Sequence, residues 1–348
     1  MLAYIVKRLL LMIPTLIGIL LITFSIIQFV PGGPVEQLVQ ELRGASLGGE
    51  VSSSAGLYRG AQGVDPERIK EIRELYGFDK PAVERFFDML IRFAQFDLGH
   101  SYFHHKGVWD LLVEKLPVSI SLGMWSFLLV YAVSIPLGIA KAVRNGSRFD
   151  LWTSTLILVG YAIPGFVLGV ALLVFFGGGS FLQWFPLRGL TSDDWHELSL
   201  IGKALDYFWH LAMPLTCLVV GSFAVTTMLT KNTFLEEVRR QYVMTARAKG
   251  LSERRVFYRH VFRNALIPLV TAFPAAFVGA FFSGSLLIET LFSLDGLGLL
   301  SYEAVVKRDY PVVLGSLYVF SLLGLLTKLI TDLLYTWVDP RVKFGAGT

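Results

Sequence analysis

The chain has 348 residues, of which 54% are hydrophobic and 17% are charged, and its mean hydropathy is +0.58. This composition excludes an ordinary soluble globular domain, because such domains carry more charge and fewer apolar residues. The single cysteine, Cys217, excludes an internal disulfide framework and a cysteine-based zinc site. The net charge of +4 is small, so the placement of the charges along the chain is more informative than their sum.

Six apolar runs are long enough to cross about 30 Å of hydrocarbon as α-helices. In chain order they are Leu9–Val30, Leu116–Ala140, Leu151–Phe176, Leu211–Thr230, Asn264–Ile288 and Pro311–Tyr335. The first five runs contain no Asp, Glu, Lys or Arg. The sixth contains Lys328 and Asp332; we expect Lys328 to reach the membrane interface, and the alternative is a role in a transport pathway. The sequence therefore predicts an all-α integral membrane protein with six transmembrane helices.

Basic residues are concentrated in alternate connections between these runs. They are Lys7 and Arg8 before the first run, Lys141, Arg144 and Arg148 after the second, nine residues from Lys231 to Arg263, and Arg341 and Lys343 after the last. The two short intervening connections are poorer: one holds Arg188 and Lys203, the other Lys307 and Arg308, and each pair is accompanied by acids. Because positive residues favour the cytoplasmic side, both termini are predicted to be cytoplasmic.

The connection between the first two runs is long and lies on the predicted outer side. Gly44–Gly63 is rich in Gly and Ser and is expected to be flexible. Asp65–Tyr76 and Pro81–Phe96 have apolar residues at helical spacing, which predicts two short helices, the second with Pro81 at its first position. The neighbouring His104 and His105 lack a third ligand, so a metal site there is disfavoured.

Residues 231–263, called the basic segment below, lie between the fourth and fifth runs. Leu235, Val238, Tyr242 and Ala246 are spaced to share one face of a helix, with arginines off that face. Gly250 fits a helix C-terminus, and Ser252 fits the cap of a following helix. Two helices joined at a sharp corner are therefore predicted. Such a surface could lie on anionic lipid, but the spacing favours a protein partner.

The stretch Gln241–Pro268, QYVMTARAKGLSERRVFYRHVFRNALIP, resembles the EAA loop of ABC importer permeases, which contacts the ATPase subunit. The family pattern is E-A-A-x-x-x-G; here Met244 and Thr245 replace the Glu and the first Ala, and Ala246 and Gly250 match. The resemblance implies a surface for coupling to the ATPase. Its residues are Gln241, Met244, Thr245, Ala246, Arg247, Ala248, Lys249, Gly250, Ser252, Glu253 and Arg254.

Other segments resemble the dipeptide and oligopeptide branch of that family. They are Asp97–Ser101, Glu289–Gly298 with Asp295 in place of the usual Pro, Arg308–Pro311 and Asp339–Arg341. Within the branch, the words IPLGIAKAVRNGSRFD and MLTKNTFLEEVRRQYVMTARAKG are most similar to the first permease subunit of Yej-type systems, which import microcin C and other peptides.

The resemblance implies a type I ABC importer permease fold in the bacterial inner membrane and inward transport of oligopeptides, with microcin C-type peptide antibiotics among them. The implied segments are an N-terminal transmembrane helix (1–30), a periplasmic loop (31–115), a five-helix core (116–340) containing the basic segment, and a cytoplasmic tail (341–348). The implied partners are a second homologous permease subunit, ATP-binding subunits, a periplasmic peptide-binding protein and the lipid bilayer. No cofactor is expected in this chain, because ATP and Mg would be bound by the ATPase.

Alternatives remain open at this point. The sequence contains no G-x-x-x-x-G-K-[ST] or H-E-x-x-H motif, which disfavours an integral-membrane enzyme. No ring of polar lining residues indicates an autonomous channel, and the basic segment lies between two predicted spans, which disfavours a nucleic-acid surface. Within the family, nickel complexes, murein peptides and glycosides are rival cargoes. The residues of the substrate pathway cannot be named from the sequence.

Overall fold

The computed structural model describes residues 2–29, 79–104, 106–177, 181–282 and 285–338. These residues are helical, apart from connecting turns and an isolated β-bridge between His100 and Gly107. The helices are α1 (Leu2–Phe29), α2 (Ala82–Ala94), α3 (Val108–Val143), α4 (Arg148–Ala162), α5 (Gly165–Leu172), α6 (Leu200–Val238), α7 (Gln241–Ala248), α8 (Glu253–Val256), α9 (Phe262–Ala265), α10 (Ile267–Phe282), α11 (Leu286–Leu291), α12 (Leu297–Val306) and α13 (Tyr310–Val338).

Among the described residues, four helices are long and apolar enough to cross a membrane: α1, α3, α6 and α13. Two bent helix pairs, Arg148–Ala162 with Gly165–Gly177 and Glu253–Ala265 with Ile267–Gly279, bring the number to six if each pair is one span. The predicted all-α membrane class is therefore confirmed. The count of six and the cytoplasmic placement of both ends stay predictions.

The third predicted run, Leu151–Phe176, is broken into two helices. α4 and the following helix meet at 89°. The break lies at Ile163, which is extended (φ −87°, ψ 117°), immediately before Pro164. A proline ring clashes with a helical residue before it, so Ile163 leaves the helix, and Pro164 takes the cap position of the next one.

The fifth predicted run, Asn264–Ile288, also differs from the structure. A 44° bend separates Glu253–Ala265 from the helix that begins at Ile267, and Pro268 is the second residue of that helix. Because Pro268 has no N–H, it cannot continue the hydrogen bonds of the preceding helix. The predicted run ends inside α11, a separate helix.

The chain divides into two compact units, and the first comprises Met1–Val6, Lys115–Leu300 and Leu323–Thr348. One of its buried clusters includes Leu122, Leu211, Cys217, Ile288 and Phe292. Cys217 is 4% exposed and packs in this cluster as a small apolar side chain.

Close helix approaches in this unit depend on glycines. A Cβ on Gly138 would lie 2.6 Å from Cβ of Thr230, and one on Gly165 would lie 2.7 Å from the carbonyl oxygen of Cys217. α3 and α5 therefore approach α6 at distances that only glycine allows. A Cβ added at Gly221 or Gly279 would meet no described atom within 4 Å, so neither position shows such a close approach among the described residues.

The two charged residues of the sixth run lie at its far end. Lys328 is exposed, in agreement with an interfacial position. Asp332 accepts a hydrogen bond of 2.8 Å from the hydroxyl of Tyr4. This carboxylate therefore ties the end of α13 to the start of α1.

The second unit comprises Lys7–Glu114 and Ser301–Leu322. Asp309, which is 1% exposed, accepts hydrogen bonds from the Ser101 hydroxyl and, at 3.1 Å, from the Tyr102 backbone N–H. The two family-like segments Asp97–Ser101 and Arg308–Pro311 thus meet at one buried carboxylate. Ser101 and Asp309 are 208 positions apart, and no sequence pattern indicates that they are in contact.

A second contact orders the same outer segment. The Arg92 guanidinium lies 2.8 Å from Asp97, whose other oxygen accepts the Gly99 N–H at 3.0 Å. The hydrogen bond from Arg92, followed by that from Gly99, lowers the pKa of Asp97. The preceding helix, α2, begins at Ala82, and Pro81 occupies the cap position rather than the predicted first helical position.

Some predictions fall on residues that the structure does not describe. The flexible stretch Gly44–Gly63, the helix Asp65–Tyr76 and the segment Asp339–Arg341 lie outside the described residues.

Candidate functional site

The basic segment is built from two helices and a corner. α6 ends at Val238, and α7 begins at Gln241 after Arg240, which is extended (φ −68°, ψ 145°). The predicted continuous helical face of Leu235, Val238, Tyr242 and Ala246 is therefore wrong, because the chain changes direction between its second and third members.

The buried face of α7 consists of Val243, 0% exposed, and Ala246, 5% exposed. Both pack in a cluster with Phe234 of α6, Val256 of α8 and the end of α3. Sequence reasoning missed Val243, although its spacing of three from Ala246 is the signal that identifies the face. α7 is therefore fixed to the ends of the long helices.

The other predicted coupling residues lie on the opposite, exposed surface. They are Gln241, Met244, Thr245, Arg247, Ala248, Lys249, Gly250, Ser252, Glu253 and Arg254. Ala246 is the one member of the predicted set that is buried and cannot contact a partner directly. Met244 is 63% exposed, a large apolar side chain on a basic surface.

Gly250 forms the corner after α7. Its φ is +75°, its N–H binds the carbonyl of Arg247 at 2.9 Å, and the N–H of Leu251 reaches the carbonyl of Ala246 at 3.4 Å. These two bonds form a Schellman motif, which confirms the predicted left-handed helix end. Ser252 occupies the cap position of α8, but its side chain makes no capping hydrogen bond there.

Side-chain bonds brace this corner from both sides. The Tyr242 hydroxyl lies 2.5 Å from Glu237 and accepts a hydrogen bond of 2.9 Å from the Asn264 amide. Burial, with a contribution from Glu237, raises the pKa of Tyr242 to about 12, so the hydroxyl keeps its proton. Arg247 makes two bonds of 2.9 and 3.1 Å to Glu253 across the corner.

A buried ion cluster, consisting of Lys141, Asp150 and Lys231, lies beside this core. The Lys141 side chain is 0% exposed and its ammonium lies 3.0 Å from Asp150. Lys231, from α6, lies 2.7 and 2.8 Å from the two oxygens of the same carboxylate. Thr153 and Ser154 accept further hydrogen bonds from Lys141 at 2.9 and 2.6 Å. The cluster joins α3, α4 and α6 next to the residues on which α7 packs.

A cavity of about 420 Å³ lies within the first unit. One wall is a face of α3 at helical spacing, and α6, α10 and α11 supply the rest. The lining residues are Ser119, Leu122, Gly123, Ser126, Phe127, Val130, Tyr131, Leu218, Ser222, Thr226, Ala276, Gly279, Ser285 and Glu289. Sequence reasoning missed this wall; the signal was the repeat of Ser and Gly at positions 119, 123 and 126 in an uncharged run.

Glu289 is the only Asp, Glu, Lys, Arg or His among the described residues that line the cavity. It is 0% exposed, and its Oε2 accepts a 2.7 Å hydrogen bond from the Leu299 N–H near the start of α12. Burial raises the pKa of the Glu289 carboxyl, and hydrogen bonds from backbone N–H groups offset part of this rise. Among the described residues, no group of three His, Cys, Asp or Glu is arranged to hold a metal ion.

Comparison with known proteins gives the family. Residues 134–344 match the family model described as binding-protein-dependent transport system inner membrane component. The chain belongs to this family.

The permease is similar to curated relatives along almost its full length. It is 55% identical to the peptidoglycan transport system permease protein YejB of Agrobacterium fabrum, covering 98% of each chain. It is 52% identical to the inner membrane ABC transporter permease protein YejB of Escherichia coli O157:H7, covering 98% of this chain and 99% of that one. It is 33% identical to the dipeptide transport system permease protein DppB of Escherichia coli K12, covering 99% of each chain.

The chain is therefore a multi-pass permease subunit of an ABC transport system in the inner membrane. The family works with ATP-binding subunits and a substrate-binding protein. The predicted assignment to ABC importer permeases of the peptide branch is confirmed. The roles of the individual coupling residues stay predictions.

Proposed function

We propose that the permease forms one half of an inner-membrane pathway that imports oligopeptides. The proposed cargo is supported by the similarity of this chain to relatives named for peptidoglycan, dipeptide and peptide transport, over nearly the whole of each chain. The other half of the pathway is a second, homologous permease subunit. The binding protein that selects the cargo is periplasmic.

The cavity supports a peptide cargo on chemical grounds. Its hydroxyls and aromatic ring faces are uncharged and can accept side chains of different character. Glycines on α3 and α10 add no side-chain bulk to the wall. Such a surface suits a class of ligands whose backbone is constant and whose side chains vary.

The energy is supplied from outside the chain. ATP and Mg are bound by the partner ATP-binding subunits, and this chain holds neither. The exposed surface of α7 and its Gly250 corner contacts the ATPase, and the buried face of α7 transmits the movement to α6 and to the helices after α8. Coupling requires that these contacts differ between the ATP-bound and the ATP-free states.

Murein peptides are the second candidate cargo, since the Agrobacterium relative is named for peptidoglycan transport. Murein peptides are the peptide portion of peptidoglycan, so both candidates share peptide chemistry. None of the relatives described above is named for nickel or glycoside transport, so these cargoes are not favoured. Microcin C-type peptide antibiotics remain a further expectation from the Yej-type resemblance.

Deletion of the gene in a strain without a redundant peptide importer tests the cargo. We expect the deletion to abolish uptake of a labelled oligopeptide, to lower uptake of a labelled murein peptide and to confer resistance to microcin C. Restoring the gene should restore all three. Unchanged uptake and unchanged sensitivity would contradict the peptide assignment, while loss of murein-peptide uptake alone would favour the second candidate.

A further inference from the structure

The cavity wall is uncharged except at Glu289 among its described residues. Its Oε1 is buried and has no hydrogen-bond partner among the described residues. Lys115 forms an ion pair with Asp295. A buried carboxylate oxygen without a partner is costly, and native structures retain such groups mainly where a ligand, an ion or a strained site accounts for them.

A backbone hydrogen bond fixes the position of the Glu289 carboxylate. Oε2 is held by the Leu299 N–H, and a Cβ on Gly296 would lie 2.8 Å from that same oxygen. Glycine at position 296 therefore leaves the space that the carboxylate occupies. Fixing one oxygen leaves the other in a defined place, as a preorganised binding group requires.

A second unpartnered polar atom lies on the same cavity wall. The hydroxyl of Ser126, on α3, is buried and also has no hydrogen-bond partner among the described residues. A ligand group that donates several hydrogen bonds and carries a positive charge would satisfy the Glu289 oxygen, and the Ser126 hydroxyl can accept a hydrogen bond from a donor of the same kind. A primary ammonium has three donors and no acceptor, and it forms short, charge-assisted bonds with a carboxylate.

We infer that Glu289 binds a primary ammonium group of the cargo in the cavity. The inference rests on the proposed function, since every peptide with a free N-terminus carries such a group whatever its sequence. The lysine side chain of a cargo offers the same chemistry. Glu289 would thus recognise a constant feature of the cargo, while the hydroxyl and aromatic walls tolerate its variable side chains.

The competing role for Glu289 is purely structural: its carboxylate caps the start of α12 through Leu299. Glu289→Gln separates the two roles. The amide oxygen of glutamine can still accept the Leu299 N–H, whereas the charge that attracts an ammonium is removed. A structural role predicts an equal loss for all cargoes, and ammonium binding predicts a selective loss.

The test uses the complete transporter in liposomes with its binding protein and three labelled peptides of one core sequence. The first has a free N-terminus, the second is N-acetylated, and the third is N-acetylated and carries one lysine. The measured quantity is the ratio of uptake rates between peptides, so the preference of the binding protein cancels when variants are compared. Glu303→Gln serves as the control, because Glu303, on α12, pairs with Lys307 and does not line the cavity.

We expect Glu289→Gln to lower the ratio of free to acetylated peptide by about tenfold or more relative to wild type, as loss of a charge-assisted bond implies. Glu303→Gln should leave the ratio unchanged. If the added lysine restores uptake of the acetylated peptide in wild type but not in Glu289→Gln, a side-chain ammonium serves as well as the N-terminus. If the lysine has no effect on uptake in wild type, the site is restricted to the peptide N-terminus.

An unchanged ratio in Glu289→Gln, or an equal fall for all three peptides, overturns the ammonium site and leaves peptide import intact. If wild type imports none of the peptides, the proposed function itself fails. The two failures are therefore distinguishable.

Discussion

Replacing Asp150 by asparagine is expected to destabilise the permease more than any other single change in the buried ion cluster. The substitution keeps the shape and removes the charge that faces two ammonium groups, one of them fully buried. Removing one member of a buried ion pair costs about 3–5 kcal/mol, because the remaining charge is left without compensation. We expect the purified complex to have a lower melting temperature and the protein to be less abundant in the membrane.

The charges of the cluster predict an order among its variants. Lys141→Met or Lys231→Met leaves one lysine facing one aspartate, so each should cost less than Asp150→Asn. Adding Lys141→Met to Asp150→Asn should reduce the loss of stability, since one ammonium group then lacks a carboxylate instead of two. The effects of the two substitutions are not additive, because the residues are in contact. Asp88→Asn, which removes an exposed carboxylate paired with Lys80, should leave the melting temperature unchanged.

The outcome that contradicts this account is an Asp150→Asn complex as stable as wild type. A lysine variant that is less stable than Asp150→Asn would also contradict it, because it would make packing rather than charge the dominant contribution.

Replacing Gly250 by valine is expected to uncouple the ATPase from transport. Gly250 has φ +75°, and a Cβ in that left-handed conformation costs about 1–2 kcal/mol, with a β-branched residue worse. Open space surrounds the position among the described residues, so the effect acts through the backbone and not through a clash. Opening the Schellman corner would tilt α7 and displace its exposed face. The stimulation of ATPase activity by cargo and binding protein should fall about tenfold, as about 1.4 kcal/mol implies.

Gly250→Asn is the matched control, since asparagine tolerates the left-handed conformation and should keep most of the stimulation. Co-purification of all subunits has to be measured beside the activity, because a folding defect would also remove stimulation. An assembled Gly250→Val complex with wild-type stimulation of ATPase activity and wild-type transport would contradict the assignment of this corner to coupling.

Local patterns account for the parts of the fold that the sequence predicted well. Long uncharged runs gave the helices that can cross a membrane, and the glycine after a basic helix gave the left-handed conformation of Gly250. Both depend on residues close together in the chain, where hydropathy and backbone sterics decide the outcome. The breaks before Pro164 and Pro268 were signalled by the prolines, but a proline inside a run, such as Pro136, leaves α3 continuous, so tertiary packing selects between a bend and a break.

The parts that were missed depend on contacts between distant residues. Asp150 and Lys231 are 81 positions apart, and nothing local marks them as partners. The buried face of α7 is set by Val243 because the chain turns at Arg240, and an assumed continuous helix placed Tyr242 there instead. Glu289 was quoted as part of a family motif, but its place on a cavity wall follows only from the packing of α3, α6, α10 and α11.

Cross-linking tests the central claim, that the exposed face of α7 is where the ATPase docks. A single cysteine at Met244, which is 63% exposed, is introduced after the one natural cysteine, the buried Cys217, has been replaced by alanine. The control cysteine is placed at Leu200, 87% exposed at the start of α6 on the predicted outer side. In the assembled transporter, Met244→Cys should cross-link to the ATP-binding subunit with a short reagent, and Leu200→Cys should not. An intact, active complex in which Met244→Cys gives no such product, or in which Leu200→Cys gives it, would contradict the account.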